Sequence, residues 1–188
     1  MAKQQIKIPG GKELIDARAL LEKLGIAEKM IVADLGCGRR GYFSLQAAKL
    51  IGPNGLVYAV DVVKTALENV NSMANLFGIP NIKTIWADLE IPKAIKIPDK
   101  SIDLAMINNV LFQTKKHDLI IQEAVRILEK NGKLLITDWK KTWSPFGPPA
   151  ENRISPEQIK TDAQKCGLIL EKEIEAGPYH FGLIFVKK

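Results

Sequence analysis

Gly36-Cys37-Gly38-Arg39-Arg40-Gly41 spells G-x-G-x-x-G between a short apolar run and a helix-like segment, and Asp61 stands twenty residues beyond Gly41, at the end of the next apolar run. In such a pattern the glycines let a ligand approach the backbone and the helix start offers unpaired N–H groups. A carboxylate at the tip of the second strand can accept both hydroxyls of a ribose. These residues describe a site for a nucleotide-like ligand. Asp34, just before the turn, and Asp88, after a third apolar run, bring two more carboxylates; taken alone, each also fits an acid capping its own turn. Cys37 reads as a small packing residue.

The elements that must position these groups are legible in the apolar periodicity. Leu14, Ala17, Leu21 and Leu24 mark an amphipathic helix ended by Gly25, and Met30–Leu35 is a buried strand that breaks into the glycine turn. A helix from Gly41 to Ile51 stops at Gly52-Pro53, Leu56–Asp61 is a second strand, and Thr65 with Glu68 has the spacing of a capping box. Further strands fall at Ile82–Trp86, Ile102–Ile107 and, after an Asn131-Gly132 turn, Lys133–Thr137, with a helix over His117–Glu129. Strands alternating with helices imply a mainly parallel sheet covered on both faces. Ser155-Pro156 starts a last helix that runs to Gly167. The strands Leu168–Glu175 and His180–Lys187 are joined by only Ala176-Gly177-Pro178-Tyr179, too short for a parallel crossover, so the sheet ends in an antiparallel hairpin.

Length and composition set the frame. The 188 residues suit one domain with its own core, 46% hydrophobic and 26% charged, with no repeat or low-complexity tract. The expected division is residues 1–28 as a helical lid segment and 29–188 as a cofactor-binding core. No apolar run approaches the roughly 20 residues that span a bilayer, so stable membrane insertion is not expected. Met1–Ile8 alternates polar with apolar residues, unlike a signal peptide, which makes the cytoplasm the default location. The two cysteines, Cys37 and Cys166, belong to no C-x-x-C pair, and no metal site is expected. The net charge of +6 is scattered and reads first as solvated surface.

From about Lys29 onward the chain resembles the class I S-adenosylmethionine-dependent methyltransferases. Val32-Ala33-Asp34-Leu35-Gly36-Cys37-Gly38, Tyr58-Ala59-Val60-Asp61 and Trp86-Ala87-Asp88-Leu89 look like that family's first three motifs. The stretch Asp103–Leu111, followed by Glu123–Leu128 and Asn131-Gly132-Lys133, is most similar to the ubiquinone and menaquinone biosynthetic branch, of the type 11 kind. The resemblance implies a Rossmann-like three-layer α/β sandwich whose mostly parallel seven-stranded sheet ends in an antiparallel hairpin, and S-adenosyl-L-methionine as cofactor. It implies that Asp34 with the backbone of Gly36, Cys37 and Gly38 meets the amino-acid end, that Asp61 holds the ribose, and that Asp88 lies near the adenine amine. Gly41, Tyr42, Val62, Ala87, Leu89, Asn108 and Asn109 complete the expected site. One departure stands out: the family's usual third glycine would fall at Arg40, whereas here it arrives at Gly41.

The ligand's own chemistry agrees. S-adenosylmethionine carries an ammonium, a carboxylate, a sulfonium and ribose hydroxyls but no pyrophosphate, so acids before and after the turn suit it better than a dinucleotide. A nicotinamide-dependent oxidoreductase is the reading from another class; Asp34, the terminal hairpin and the lack of a second catalytic domain stand against it. The acceptor expected is small or lipid-like, with protein lysine or RNA as the alternative that the positive charge favours. The donor is activated, so no universal base is required and the catalytic residue is unknown. Asp138, His180 and Tyr179 are the candidates for one, while His117 reads as a solvated residue at a helix cap. The connection Trp139–Pro149 reads either as an apolar pocket wall with a cationic rim or as a stiff loop packed on the core. Oligomeric state is not encoded in any pattern found.

Overall fold

The structure, a computed structural model, describes residues 14–188. Residues 1–13, and with them nearly half of the expected lid segment and the whole Met1–Ile8 alternation, lie outside the described residues.

Seven strands form one sheet in the order β3-β2-β1-β4-β5-β7-β6: β1 Ile31–Leu35, β2 Leu56–Asp61, β3 Ile82–Trp86, β4 Ile102–Asn108, β5 Leu128–Trp139, β6 Leu168–Gly177 and β7 His180–Lys187. The first five pair in parallel, and β7 runs antiparallel to both β5 and β6. This is the sheet expected from the sequence, hairpin included.

Alternation along each strand splits the core between two faces. In β1, Val32 packs with α1 (Ala17–Leu24) and α2 (Tyr42–Ile51), whereas Ala33 and Leu35 face α4 (His117–Ile127) and α5 (Pro156–Lys165). In β4, Leu104 and Met106 join the first face, Ala105 and Ile107 the second. The remaining helix, α3 (Lys64–Leu76), places Leu67 and Val70 against Ala59 of β2. Sheet and helices thus make three layers.

Helix α1 has only eight residues, too few to persist alone. Burial of Leu20, Leu21 and Leu24, worth about 2 kcal/mol each, holds it in place. Asp16 accepts the Ala19 N–H at its start, and Gly25, at φ 78°, ends it as expected. The helix begins three residues later than the periodicity suggested, because Asp16, at φ −83° and ψ 88°, is its N-cap; Leu14 and Ile15 before it line the cavity described below.

Two local expectations are corrected. The Thr65–Glu68 capping box does not form: α3 starts at Lys64 with Val63 as an uncapped N-cap, and the Val63 N–H is taken by Asp61 instead. The Asn131-Gly132 turn does not separate helix from strand. Strand β5 follows α4 directly, and the two residues form a bulge inside it, with Asn131 at φ 65°. The register records this: Ile102 pairs with Leu128 but Leu104 with Lys133. Among the described residues, no helix is long and apolar enough to cross a membrane.

Candidate active site

Strand order reverses between β1 and β4, and beyond the carboxyl ends of β1 to β4 lies a cavity of about 800 Å³, where open α/β sheets bind ligands. Asp34, Asp61 and Asp88, each at or just past a successive strand end, all line it. So do Gly36, Cys37, Gly38 and Tyr42 of the turn, Val62 and Leu89 beside the acids, and Asn108 with Asn109 at the end of β4. Gly41 and Ala87 stand behind the wall. The Ala87 N–H donates to the Asp61 carbonyl, and Gly41 is the N-cap of α2 at φ 52°, where an added Cβ would meet Val70 Cγ2 at 2.6 Å. The late third glycine therefore serves the packing of α2 against α3.

The turn itself differs from a phosphate cradle. Gly36 and Cys37 donate their N–H groups to the Val60 carbonyl at 2.8 and 3.0 Å, and Gly38 donates to Asp61 Oδ2 at 2.9 Å. These donors are consumed by β2, so the first half of the turn offers a ligand room but no row of free N–H groups. Gly36, at φ 83°, has no space for a side chain because Val110 lies against it, whereas Gly38, at φ 66°, faces open space.

Acceptors dominate instead. Asp34 is buried; its Oδ2 accepts the Ser44 hydroxyl at 2.6 Å, and its Oδ1 has no hydrogen bond. Burial pushes its carboxyl up to about 6, against the lowering effect of Ser44 and of the Asn108 amide, which lies near without reaching hydrogen-bond geometry. Asn109 Oδ1 is likewise buried without a partner. Its backbone is held at φ 56°, with its N–H donating to the Thr137 carbonyl and its own carbonyl accepting from Gln113. Buried acceptors left unpaired cost about 1–3 kcal/mol each, and a ligand that brings a cationic donor, such as an ammonium, relieves that cost. Asp61 accepts Gly38 and Val63 N–H groups, both at 2.9 Å, and each oxygen keeps further lone-pair capacity. Asp88 accepts the Glu90 N–H at 2.9 Å in an Asx-turn. The donor set and its charges fit an adenosyl amino acid and suit a pyrophosphate poorly.

Cys37 is buried beside Asp34 and Asp61, and burial reinforced by those two charges pushes its thiol well up. It is an inert wall residue.

The candidates for a base are elsewhere. Asp138 is fully buried, does not line the cavity, and accepts the N–H groups of Phe112 and Trp139 at 3.2 and 2.8 Å. It anchors the 3-10 turn Leu111–Gln113 that follows the cavity floor. His180 is fully buried against Trp139, ring centroids 4.0 Å apart, and Tyr179 packs on Phe146; neither lines the cavity. His117 is not a solvated cap: it is largely buried, with Nε2 2.7 Å from the Thr114 carbonyl and Nδ1 3.6 Å from Asp162. Apart from the buried Trp139, the Trp139–Pro149 connection is half-buried or exposed, with Trp143 at 83%, and it is tied down by Arg153 without walling the first cavity. Arg153 donates to the carbonyls of Lys140, Thr142, Phe146 and Pro148, and Gly147 lies against the Trp139 ring. Only Lys141 and Pro148 of that stretch reach a second cavity, of about 560 Å³, which shares Gln113 and Thr114 with the first.

Several residues of the site escaped the sequence reading. Ser44 sits in the first turn of α2, ten residues past Asp34, and its position behind a glycine turn was the available signal. Ile15, Phe43 and Thr114 carry no motif and come to the cavity only through tertiary packing.

Sheet order, terminal hairpin and the acid-lined crevice together define the class I S-adenosylmethionine-dependent methyltransferase fold. A family model described as a methyltransferase domain matches residues 26–178, and the chain belongs to that family. A crystal structure of a SAM dependent methyltransferase from Aquifex aeolicus is similar, with a TM-score of 0.88 and 25% identity over 98% of this chain and 96% of that one. Among curated relatives, the "Probable cobalt-precorrin-6B C(15)-methyltransferase (decarboxylating)" of Saccharolobus solfataricus is 31% identical over 69% of this chain and 62% of its own length. The ubiquinone/menaquinone biosynthesis C-methyltransferase of Pasteurella multocida is 26% identical over 66% of this chain and 45% of its own length. The chain thus matches roughly half to two-thirds of the length of these relatives.

Proposed function

We propose that this chain is an S-adenosylmethionine-dependent methyltransferase acting on a small or lipid-like acceptor. One observation carries the reading: Asp34, Asp61 and Asp88, from three successive strand ends, line a single cavity beside the first glycine turn. Asp34 and Asn109 would take the ammonium, Asp61 the ribose hydroxyls, and Asp88 with Leu89 the adenine edge, while Gly36 and Gly38 leave room for the amino-acid end. The bound cofactor supplies a methyl group on a sulfonium, already activated for in-line displacement. What remains for the protein is to orient an acceptor and keep water out. Leu14, Ile15, Phe43, Val110 and Ile120 supply the apolar wall for that, and the volume lies in the range of about 300–1,000 Å³ usual for small-molecule sites. No side chain in the cavity is assigned as a base.

Two relatives, a precorrin methyltransferase and a quinone-biosynthesis methyltransferase, support a small-molecule acceptor. Residues 29–188 are read as one cofactor-binding unit, with Leu14 and Ile15 ahead of it covering part of the cavity. Calorimetric titration with S-adenosylhomocysteine tests the reading. Micromolar binding is expected; no heat together with no thermal shift would overturn it.

A further inference from the structure

The mouth of the cavity carries two features that cofactor binding leaves unexplained. The first is apolar exposure: Val63, Trp86 and Ile91 are 51%, 60% and 55% exposed, beside the cavity-lining Val62 at 55%. Val62 and Val63 line the rim, Trp86 donates its indole N–H to the Val62 carbonyl at 2.8 Å, and Ile91 follows Asp88-Leu89-Glu90 of the wall. The second is unpaired positive charge. Arg39 and Arg40, the x-x of the glycine motif, are exposed on the same rim with no carboxylate partner among the described residues, and Lys64 stands 4.6 Å over the Trp86 ring. The nearby Glu90 is already paired with Lys116 at 3.0 Å.

Exposed aliphatic side chains and a tryptophan set among unpaired cations match the boundary of a bilayer that carries anionic headgroups. A nucleic acid would need aromatic faces free for base stacking, but Lys64 covers one face of the single tryptophan here. We infer that the rim formed by Arg39, Arg40, Val62, Val63, Trp86 and Ile91 docks the protein on an anionic membrane surface, cavity mouth toward the lipid. Docking is peripheral, through side chains at the headgroup level. It deepens the proposed function, since a lipid-like acceptor would then reach the cavity from the leaflet.

Trp86 is the reporter. In the chain carrying Trp143→Phe, Trp86 is the exposed indole that remains, because Trp139 is buried. This protein is mixed with vesicles of phosphatidylcholine alone or with added phosphatidylglycerol. The expected result is a blue shift of emission with the anionic vesicles only, reversed by salt. Adding Lys64→Glu and Ile91→Asp weakens binding about tenfold while S-adenosylhomocysteine binding stays unchanged. No shift with either vesicle, equal binding to neutral vesicles, an unaffected double variant, or tighter binding to single-stranded RNA than to vesicles would each overturn the inference. The S-adenosylhomocysteine titration stands apart: silence there with vesicle binding intact refutes the proposed function and not the docking face.

Discussion

The Asp61 carboxylate accepts the Gly38 N–H at 2.9 Å through one oxygen and the Val63 N–H at 2.9 Å through the other, so a single side chain ties the glycine turn and the start of α3 to the tip of β2. The same group is assigned the ribose. Asp61→Ala should therefore cost stability and affinity together: about 1–3 kcal/mol in urea unfolding from the two orphaned donors, and about 100-fold or more in S-adenosylhomocysteine affinity. Asp61→Asn, which keeps one acceptor oxygen, should fall between. Undiminished affinity in the alanine variant would remove Asp61 from the site.

Asp34 gives the site a pH dependence of definite sign. In the free protein its carboxyl sits near 6, and a bound ammonium favours the ionised form. Binding of S-adenosylhomocysteine should then release a proton near pH 6 and weaken as pH falls below it. Calorimetry in buffers of different ionisation heat measures that proton directly. In Asp34→Asn the release should vanish and affinity should drop at pH 8. A wild-type affinity flat from pH 8 to 5 would contradict the role.

Gly38 and Gly41 should separate binding from stability. Both hold positive φ, but a Cβ at Gly38 meets open space, whereas one at Gly41 meets Val70. Gly38→Ala should cost about 1 kcal/mol of stability, the left-handed backbone penalty, while strongly reducing cofactor binding by filling the cavity. Gly41→Ala adds overpacking and should cost about 2–4 kcal/mol. Parallel urea melts and titrations of the two variants decide this; equal stability losses would show that α2 moves freely away from α3.

Strand runs, the order of strands and helices, and the hairpin were readable because burial and chain reach leave few solutions: a link of four residues cannot join parallel strands. The three acids were readable because each ends an apolar run. What failed is what tertiary contacts decide. Thr65 and Glu68 have capping-box spacing, yet Asp61 reaches the Val63 N–H and moves the helix start. His180 does lie near the strand ends that open on the cavity, but β7 stands two strands beyond β4, roughly 10 Å away. There it pairs with Trp139 and is sealed off. Lateral distance across a sheet leaves no mark in the order of residues along the chain.

That burial of His180 sets the last prediction. Both ring nitrogens lack partners, and burial, helped by the positive charges of Lys140 and Arg153, holds the imidazole down to about 4 against an ordinary 6.5. Between those values the unfolded chain takes up a proton that the native ring refuses. The stabilising contribution of neutral His180 is thus present above pH 6.5 and lost as pH falls toward 4. Asp34 and Asp138, both raised to about 6 from 3.8, work the other way, adding stability as pH falls through 6 toward 4. The wild-type acid limb is a difference between the two effects, and only substitution isolates the histidine. His180→Phe keeps a ring against Trp139 and removes both unpaired nitrogens and the proton uptake. Its melting temperature should exceed that of wild type, and the gap should widen from pH 7 to pH 5. A gap that stays constant or narrows on acidification would mean that the ring is protonated in the native state.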